Sequence, residues 1–169
     1  RIALAHLSDP PLDITAKENA ETWATSLGAT ILPTGTLRLT KPTNVKQLVG
    51  FDEGAWWVQD AAAAVPARVL NAQPGEQILD LCAAPGGKTL QLVSGGGTVT
   101  AGDISAGRME RVAQNLVRTK LQADIQVADI FDINGQYDAI LLDAPCSATG
   151  TIRRHPDLPF AKDGSVTAA

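Results

Sequence analysis

The chain contains 169 residues, and 14 lysines and arginines against 18 aspartates and glutamates give it a formal net charge of −4. Hydrophobic residues make up 44% and charged residues 19% of the sequence, which is typical of a folded globular protein and excludes a disordered chain. No run approaches the ~18 apolar residues that a bilayer-crossing helix needs, so we expect no membrane partner. Cysteine occurs only at positions 82 and 146, which excludes a disulfide framework and favours a reducing, cytoplasmic compartment.

The first third of the sequence predicts a small α+β domain, which we place at residues 1–55. Apolar side chains recur at helical spacing over Glu18–Leu27, and Gly28 is placed to end that helix. Short strands are predicted around it at residues 12–15, 30–32 and 36–39. Two glycines within residues 50–54 predict a linker at the end of this domain.

Residues 56–169 alternate strand and helix patterns, which predicts a parallel, doubly wound α/β sheet of the Rossmann-like type. A helix is predicted first, at residues 58–70 and despite Pro66. Strands are then predicted at residues 78–82, 98–104, 125–130 and 137–143, with helices at 88–93 and 105–121. Residues 139–142 are an unbroken apolar run, as expected of a strand that is covered on both faces. Because a doubly wound sheet normally has more than four strands, we expect the sheet to be truncated after the fourth.

The turn after the first predicted parallel strand carries the strongest ligand signal. Its residues are small or proline and precede a lysine, so a ligand can approach the backbone where a helix N-terminus offers free N–H groups. The turn residues are Cys82, Ala83, Ala84, Pro85, Gly86, Gly87 and Lys88. A tight turn without a ligand requires fewer residues of this kind.

Two ligands fit this turn. Residues 87–89, Gly-Lys-Thr, match the end of the phosphate loop of nucleoside triphosphatases. The first glycine of that loop, however, falls at Cys82, and Pro85 removes a backbone donor. The second interpretation is an S-adenosylmethionine site, and it is supported by acids farther along the chain.

Acidic residues lie at the predicted strand ends, where parallel sheets bind ligands. Asp103 ends the second strand, and a carboxylate there can accept hydrogen bonds from both hydroxyls of a ribose. Asp129 ends the third strand within reach of an adenine, and Asp143 ends the fourth beside the reactive centre. Aspartate is also common in turns and at helix caps, and this preference alone can explain any one of these three residues. It explains less readily why all three occur together with Asp80 in the first strand.

A second motif, Asp-Ala-Pro-Cys-Ser-Ala-Thr-Gly, follows the fourth predicted strand at residues 143–150. A cysteine between proline and serine on a strand-end loop is expected to face the ligand crevice, so Cys146 and Asp143 are candidate catalytic residues. A free cysteine is more often a small buried hydrophobe. We favour that interpretation for Cys82, whose backbone is expected to line the cofactor.

The motifs at residues 80–88 and 143–150 together resemble those of the RNA cytosine-5 methyltransferases. The closer resemblance is to the bacterial Sun (Fmu, RsmB) branch, which acts on small-subunit ribosomal RNA. Further similarity to this branch occurs at residues 51–54, 58–60 and 153–157, so the resemblance covers about residues 8–160. It implies that S-adenosylmethionine is held by residues 82–88, Asp103, Asp129 and Asp143. It also implies that the first domain is an RNA-recognition-like subdomain.

For the chemistry, the resemblance implies methyl transfer to C5 of a cytosine through a covalent adduct between a cysteine and C6. It assigns the attack to a cysteine of a later Thr-Cys-Ser motif, and product release to the Pro-Cys cysteine, here Cys146. No Thr-Cys-Ser sequence follows Cys146, so we expect the chain to be a fragment or to lack segments. Catalysis is not expected from these residues alone. A nucleoside triphosphatase and a non-catalytic RNA- or cofactor-binding module remain the alternatives.

A short basic cluster, Arg153 and Arg154, follows the second motif. It is either a solvated surface turn or a contact to RNA phosphates beside the target base. The acidic composition of the whole chain does not exclude such a local contact, because phosphate binding depends on the local field. We predict RNA binding at this cluster and no metal site.

Overall fold

Two four-stranded sheets organise the chain in the computed structural model, which describes residues 9–41 and 44–158. The strands are β1 Leu12–Ala16, β2 Thr30–Ile31, β3 Leu37–Leu39, β4 Trp56–Val58, β5 Gln77–Leu81, β6 Thr98–Asp103, β7 Asp124–Val127 and β8 Ala139–Leu142. The helices are α1 Ala20–Leu27, α2 Val65–Leu70, α3 Gly87–Ser94 and α4 Ala106–Thr119. No helix within the two described ranges is long and apolar enough to cross a membrane.

The first sheet is antiparallel, with strand order β2-β3-β1-β4. It packs against α1 around Ile14, Leu37 and Trp56, whose side chains are fully buried. The predicted helix ends where expected, because Gly28 adopts a left-handed conformation with φ of 62° and its N–H bonds back to the last turn. The strands and the helix that the sequence predicted in this region are thus confirmed.

The helix predicted at residues 58–70 is wrong in its first half. Only α2 is helical, and β4 pairs instead with β1 in the antiparallel sheet. The late start of α2 follows from Pro66, which lacks a backbone N–H and is therefore tolerated only in the first turn of a helix. The antiparallel sheet consequently extends to Val58. The domain boundary at residue 55 stays a prediction, and residues 159–169 of the second predicted domain lie outside the described residues.

Strand β4 joins the two halves of the molecule through two adjacent tryptophans. Side chains alternate across a strand, so Trp56 and Trp57 point to opposite sides. Trp56 lies in the core of the antiparallel domain, whereas Trp57 packs with Leu90 and Val112 beneath the parallel sheet. Both tryptophans are almost completely buried. They pack at the junction of the two sheets.

The end of α4 fixes the same junction. Arg118 donates hydrogen bonds to the carbonyls of Phe51 and Trp56, at 2.8 and 3.0 Å, and its guanidinium lies 4.4 Å from the centre of the Phe51 ring. Gly54, with φ of 70°, approaches the Arg118 backbone so closely that a Cβ atom would collide with the Arg118 carbonyl. The two sheets are therefore held in one arrangement at this point.

The second sheet is parallel, with strand order β7-β6-β5-β8. The predicted doubly wound α/β fold is confirmed, with all four predicted strands and both predicted helices between them. Ser105 caps α4, because its hydroxyl accepts a hydrogen bond from the Arg108 N–H. In this topology the carboxyl ends of β5, β6 and β8 meet at one edge of the sheet.

Strand β8 departs from the prediction that both of its faces are covered. Leu141 is 5% exposed and packs against Ala67 of α2, but Ile140 and Leu142 are 59% and 55% exposed. These two side chains point to the opposite face, where none of the described residues buries them. The apolar run therefore predicted the strand correctly, but the prediction that both faces of the strand are covered is wrong for the described residues.

Candidate cofactor site

The glycine-rich turn predicted from the sequence lies between β5 and α3. Cys82, directly after β5, has a φ of 59°, and Gly86, which precedes α3, has a φ of 102°. A Cβ at position 86 would lie 3.2 Å from the Val112 side chain, so glycine there permits both the turn and the close packing of α4. The turn is also tied to the next strand, since the Ala83 N–H donates to the Gly102 carbonyl at 3.1 Å.

Lys88 connects this turn to the end of β8. Its Nζ lies 2.6 Å from Oδ2 of Asp143, in a pair whose lysine side chain is 14% exposed and whose aspartate is 54% exposed. The structure thus brings together the last turn residue and the first residue of the second motif. This charge-assisted hydrogen bond defines one polar end of the site.

Asp103 lies at the end of β6, as predicted, and is 2% exposed. Its Oδ1 accepts a hydrogen bond from the Ser105 N–H at 2.9 Å. Oδ2 is buried and accepts no hydrogen bond, although the guanidinium of Arg108 lies 3.1 Å away. Arg108 also donates to the Ala84 carbonyl at 3.1 Å. An under-bonded buried carboxylate oxygen is a strong acceptor for a ligand hydroxyl.

Asp80 is a second buried acid at this edge. It is fully buried within β5, and its Oδ2 accepts a hydrogen bond from the Thr89 hydroxyl at 2.6 Å. Among the described residues, none donates a hydrogen bond to Oδ1. Burial is the main cause that raises the pKa of Asp80 from 3.8 to about 6. Asp80 was predicted only as one of a set of acids on the strands, without a binding role. The sequence signal for a buried acid was its position within the apolar run Ile-Leu-Asp-Leu.

Asp129 does not end a strand, which corrects the prediction. Strand β7 stops at Val127, because the chain then turns and the Asp129 carboxylate accepts a hydrogen bond from the Phe131 N–H at 3.1 Å. This is the turn-stabilising role that aspartate often has. The adenine contact of Asp129 stays a prediction.

A cavity of about 440 Å³ lies where the turn faces the antiparallel domain. Its walls combine β5, the turn, the start of α3 and segments of the first domain. Polar side chains in its lining are Asp13, Gln59, Asp60, Asp80, Lys88, Asn115, Arg118, Asp143 and Arg154. Asp103 and Asp129 do not line it. The cavity therefore corresponds to the Lys88–Asp143 end of the site, and the acid at the end of β6 lies beyond it.

The two cysteines differ in exposure, and Cys82 lines the cavity whereas Cys146 does not. The catalytic role of Cys146 stays a prediction. Cys146 is exposed on the loop after β8, and its sulfur accepts a hydrogen bond from the Ala148 N–H at 3.3 Å. Cys82 is half-buried in the turn. Burial, followed by the nearby charge of Asp103, raises the pKa of the Cys82 thiol. A thiol of raised pKa remains protonated at neutral pH and is a weak nucleophile.

Arg153 and Arg154 both have partners within the protein. Arg153 donates to the Asp9 carbonyl at 2.7 Å, and Arg154 pairs with Asp60 at 2.9 Å. Sequence reasoning missed these partners because they are remote along the chain. RNA binding by the two arginines stays a prediction.

Comparison with known proteins decides between the two ligand interpretations. A model of the 16S rRNA methyltransferase RsmB/F family matches residues 67–167. Ribosomal RNA small subunit methyltransferase B of Cronobacter sakazakii is 47% identical over 136 residues, which are 76% of this chain and 32% of that protein. This chain belongs to the RsmB/F methyltransferase family.

Solved structures agree with this assignment. A methyltransferase homolog from Pyrococcus horikoshii has a TM-score of 0.76 and 27% identity, over 94% of this chain and 58% of that one. NSun6 from the same organism, solved with SFG, has a TM-score of 0.59 and 28% identity, over 69% and 39% of the two chains. The RsmB/F chain described here spans about a third of the length of the curated relative, 32%.

Membership of the RsmB/F family confirms the resemblance seen in the sequence and disfavours a phosphate loop. The cysteine at position 82, where such a loop has its first glycine, adopts a left-handed conformation and leads into a methyltransferase turn. The Gly-Lys-Thr at residues 87–89 is accordingly the start of α3 in this family member.

Proposed function

We propose that this RsmB/F chain binds S-adenosylmethionine and forms the cofactor-binding part of an enzyme that methylates C5 of a cytosine in small-subunit ribosomal RNA. The observation that carries the proposal is the pair of buried acids, Asp80 and Asp103, each with a carboxylate oxygen that accepts no hydrogen bond, at the carboxyl edge of the parallel sheet. Buried carboxylate oxygens that accept no hydrogen bond are rare in proteins and mark a place where a ligand can donate.

The residues at this edge fit the donor groups of S-adenosylmethionine. Asp103 suits the ribose hydroxyls, because its Oδ2 accepts no hydrogen bond from the described residues and lies at the end of β6. Asp80 lines the cavity and suits the ammonium of the amino-acid part. Ile104, which directly follows Asp103 and is 69% exposed, is an apolar side chain that suits the adenine. The cofactor thus spans the edge from β7 towards β8.

At the Lys88–Asp143 end, the cavity would receive the target cytosine. The cofactor supplies a methyl group on a sulfonium, and C5 of cytosine accepts it once a thiolate has added to C6. Asp143 can accept a hydrogen bond from the exocyclic amino group of cytosine, and Lys88, whose Nζ lies 2.6 Å from Oδ2 of Asp143, orients that carboxylate. Cys146 lies on the loop that begins at Asp143, where it can assist product release.

This division of roles predicts no covalent adduct with the chain itself. Incubated with S-adenosylmethionine and RNA containing 5-fluorocytosine, which cannot lose its C5 substituent as a proton, the chain should give no shifted band on a denaturing gel. The physical reason is that the attacking cysteine belongs to a Thr-Cys-Ser motif that this sequence does not contain. An adduct that disappears in Cys146→Ser would instead make Cys146 the nucleophile.

RNA is the proposed partner, and the basic cluster after the second motif is its proposed contact. The side chain of Arg154 is 35% exposed, so its ion pair does not hide it from a phosphate. Replacing Arg153 and Arg154 together by alanine should reduce the slope of log affinity against log salt by about one for each lost phosphate contact. Arg111→Ala on the exposed face of α4 is the matched control. Equal slopes in the double variant and the wild type would exclude the contact.

A further inference from the structure

The loop that follows β8 is anchored by an ion pair to the segment that continues from β4. Arg154 lies 2.9 Å from Oδ2 of Asp60, a residue of the segment that continues from β4. The side chains of Asp60 and Arg154 are 36% and 35% exposed, and both line the cavity that also contains Lys88 and Asp143. The pair therefore links the segment after β4 to the loop after β8 at the proposed entrance for the base.

Asp60 is a rigid anchor. Its Oδ1 accepts a hydrogen bond from the Ala62 N–H at 2.9 Å. Burial raises the pKa of Asp60, but the hydrogen bonds from Ala62 and Arg154 outweigh it, so that the net pKa lies below 3.8 and the group is ionised at neutral pH. The neighbouring Ala61 N–H donates to Asp13, a buried carboxylate of β1, at 3.0 Å. The position of Asp60 is thus set by the antiparallel sheet.

On the other side of the pair, short-range hydrogen bonds lead back to the cysteine. The Arg154 N–H donates to the Thr151 carbonyl at 2.8 Å, and the Thr151 N–H donates to the Ala148 carbonyl at 2.9 Å. The Ala148 N–H in turn donates to the sulfur of Cys146 at 3.3 Å. A compact turn, with a 3-10 segment at Thr149–Thr151, therefore separates the ion pair from Cys146.

We propose that Asp60 and Arg154 form a clamp through which the antiparallel sheet positions the loop that carries Cys146. Both are positioning residues, since they act through the turn rather than on a reacting atom. The clamp restrains the conformation of this loop, and this proposal does not depend on whether the chain binds the cofactor. Within the proposed function, it makes the antiparallel sheet a determinant of where Cys146 lies relative to the cavity.

Hydrogen exchange measured by mass spectrometry on the full chain tests the clamp. Asp60→Asn, which keeps the acceptor for Ala62, and Arg154→Met should each increase exchange of the 148–155 amides by about threefold, the change expected for a partly exposed ion pair. Exchange in α4 should stay unchanged in both variants. The Asp60→Asn/Arg154→Met double variant should match the single variants, because the second substitution removes nothing further.

Two further variants separate positioning from a general loss of structure. Arg154→Lys keeps a cation within reach of Asp60 and should restore most of the protection, whereas Arg111→Met on the exposed face of α4 should behave as wild type. Unchanged exchange in Asp60→Asn, or additive effects in the double variant, would overturn the clamp. An effect of Arg154→Met that appears only with RNA bound would assign Arg154 to phosphate contact alone.

Discussion

Asp103→Ala is expected to weaken binding of S-adenosylhomocysteine by about 10- to 100-fold. A hydrogen bond to a charged group contributes ~1.5–3 kcal/mol, and each 1.4 kcal/mol is a factor of ten in affinity. Asp103 is 2% exposed and its Oδ2 accepts no hydrogen bond, so the ribose would meet a carboxylate that water does not compete for. Isothermal titration calorimetry of the folded variant measures the loss.

Two control variants make the Asp103 result specific. Asp103→Asn keeps an acceptor for the Ser105 N–H, which preserves the local turn, but removes the charge, so it should give an intermediate loss. Asp124→Ala removes an exposed acid in β7 and should leave the affinity unchanged. Wild-type affinity in Asp103→Ala, with an unaltered circular dichroism spectrum, would refute the ribose assignment.

Binding of S-adenosylhomocysteine should also depend on pH through Asp80. Burial raises the pKa of this carboxyl to about 6, so below pH 6 the free protein carries a neutral acid where the ligand's ammonium needs a carboxylate. Affinity should then fall by up to about tenfold for each pH unit below 6. Asp80→Asn should bind weakly and lose this pH dependence. Titrations between pH 4.5 and 8 measure both effects.

The carboxyl of Asp80 also makes the free energy of unfolding depend on pH, and it destabilises the protein as the pH rises. The pKa of Asp80 is raised on folding from 3.8 to about 6. Its stabilising contribution is therefore complete below pH 3.8 and is lost as the pH rises through about 6, by up to about 3 kcal/mol. Asp80→Asn should exceed the wild type in free energy of unfolding at pH 7.5 and match it near pH 4, as measured in urea. An equal difference at both pH values would show that the group does not titrate in this range.

Much of this site could be predicted from the sequence because local rules determine it. The turn at residues 82–88 needs small residues wherever a strand passes directly into a helix beside a ligand. Asp103 and Ser105 mark a strand end and a helix cap, which depend only on their neighbours in sequence. Family motifs then assigned the ligand. The position of these residues at one edge follows from the parallel topology.

What escaped prediction depends on residues that are distant along the chain. The partners of Arg108 and Arg154 lie in other elements, and no spacing pattern indicates them. The burial of Asp80 became evident only from the strands on both sides of β5. The predicted helix began at Val58, but this residue ends β4 and pairs with Ile14 of β1, and such a distant pairing outweighs the local preference.

The most direct test of the cofactor site is a calorimetric titration of the wild-type chain at pH 7.5 with S-adenosylhomocysteine and, in parallel, with magnesium-ATP. The proposed fit of the two buried acids to the ribose and ammonium predicts binding of S-adenosylhomocysteine with one site per chain and no heat of binding for magnesium-ATP. Saturable binding of magnesium-ATP with no response to S-adenosylhomocysteine would contradict it.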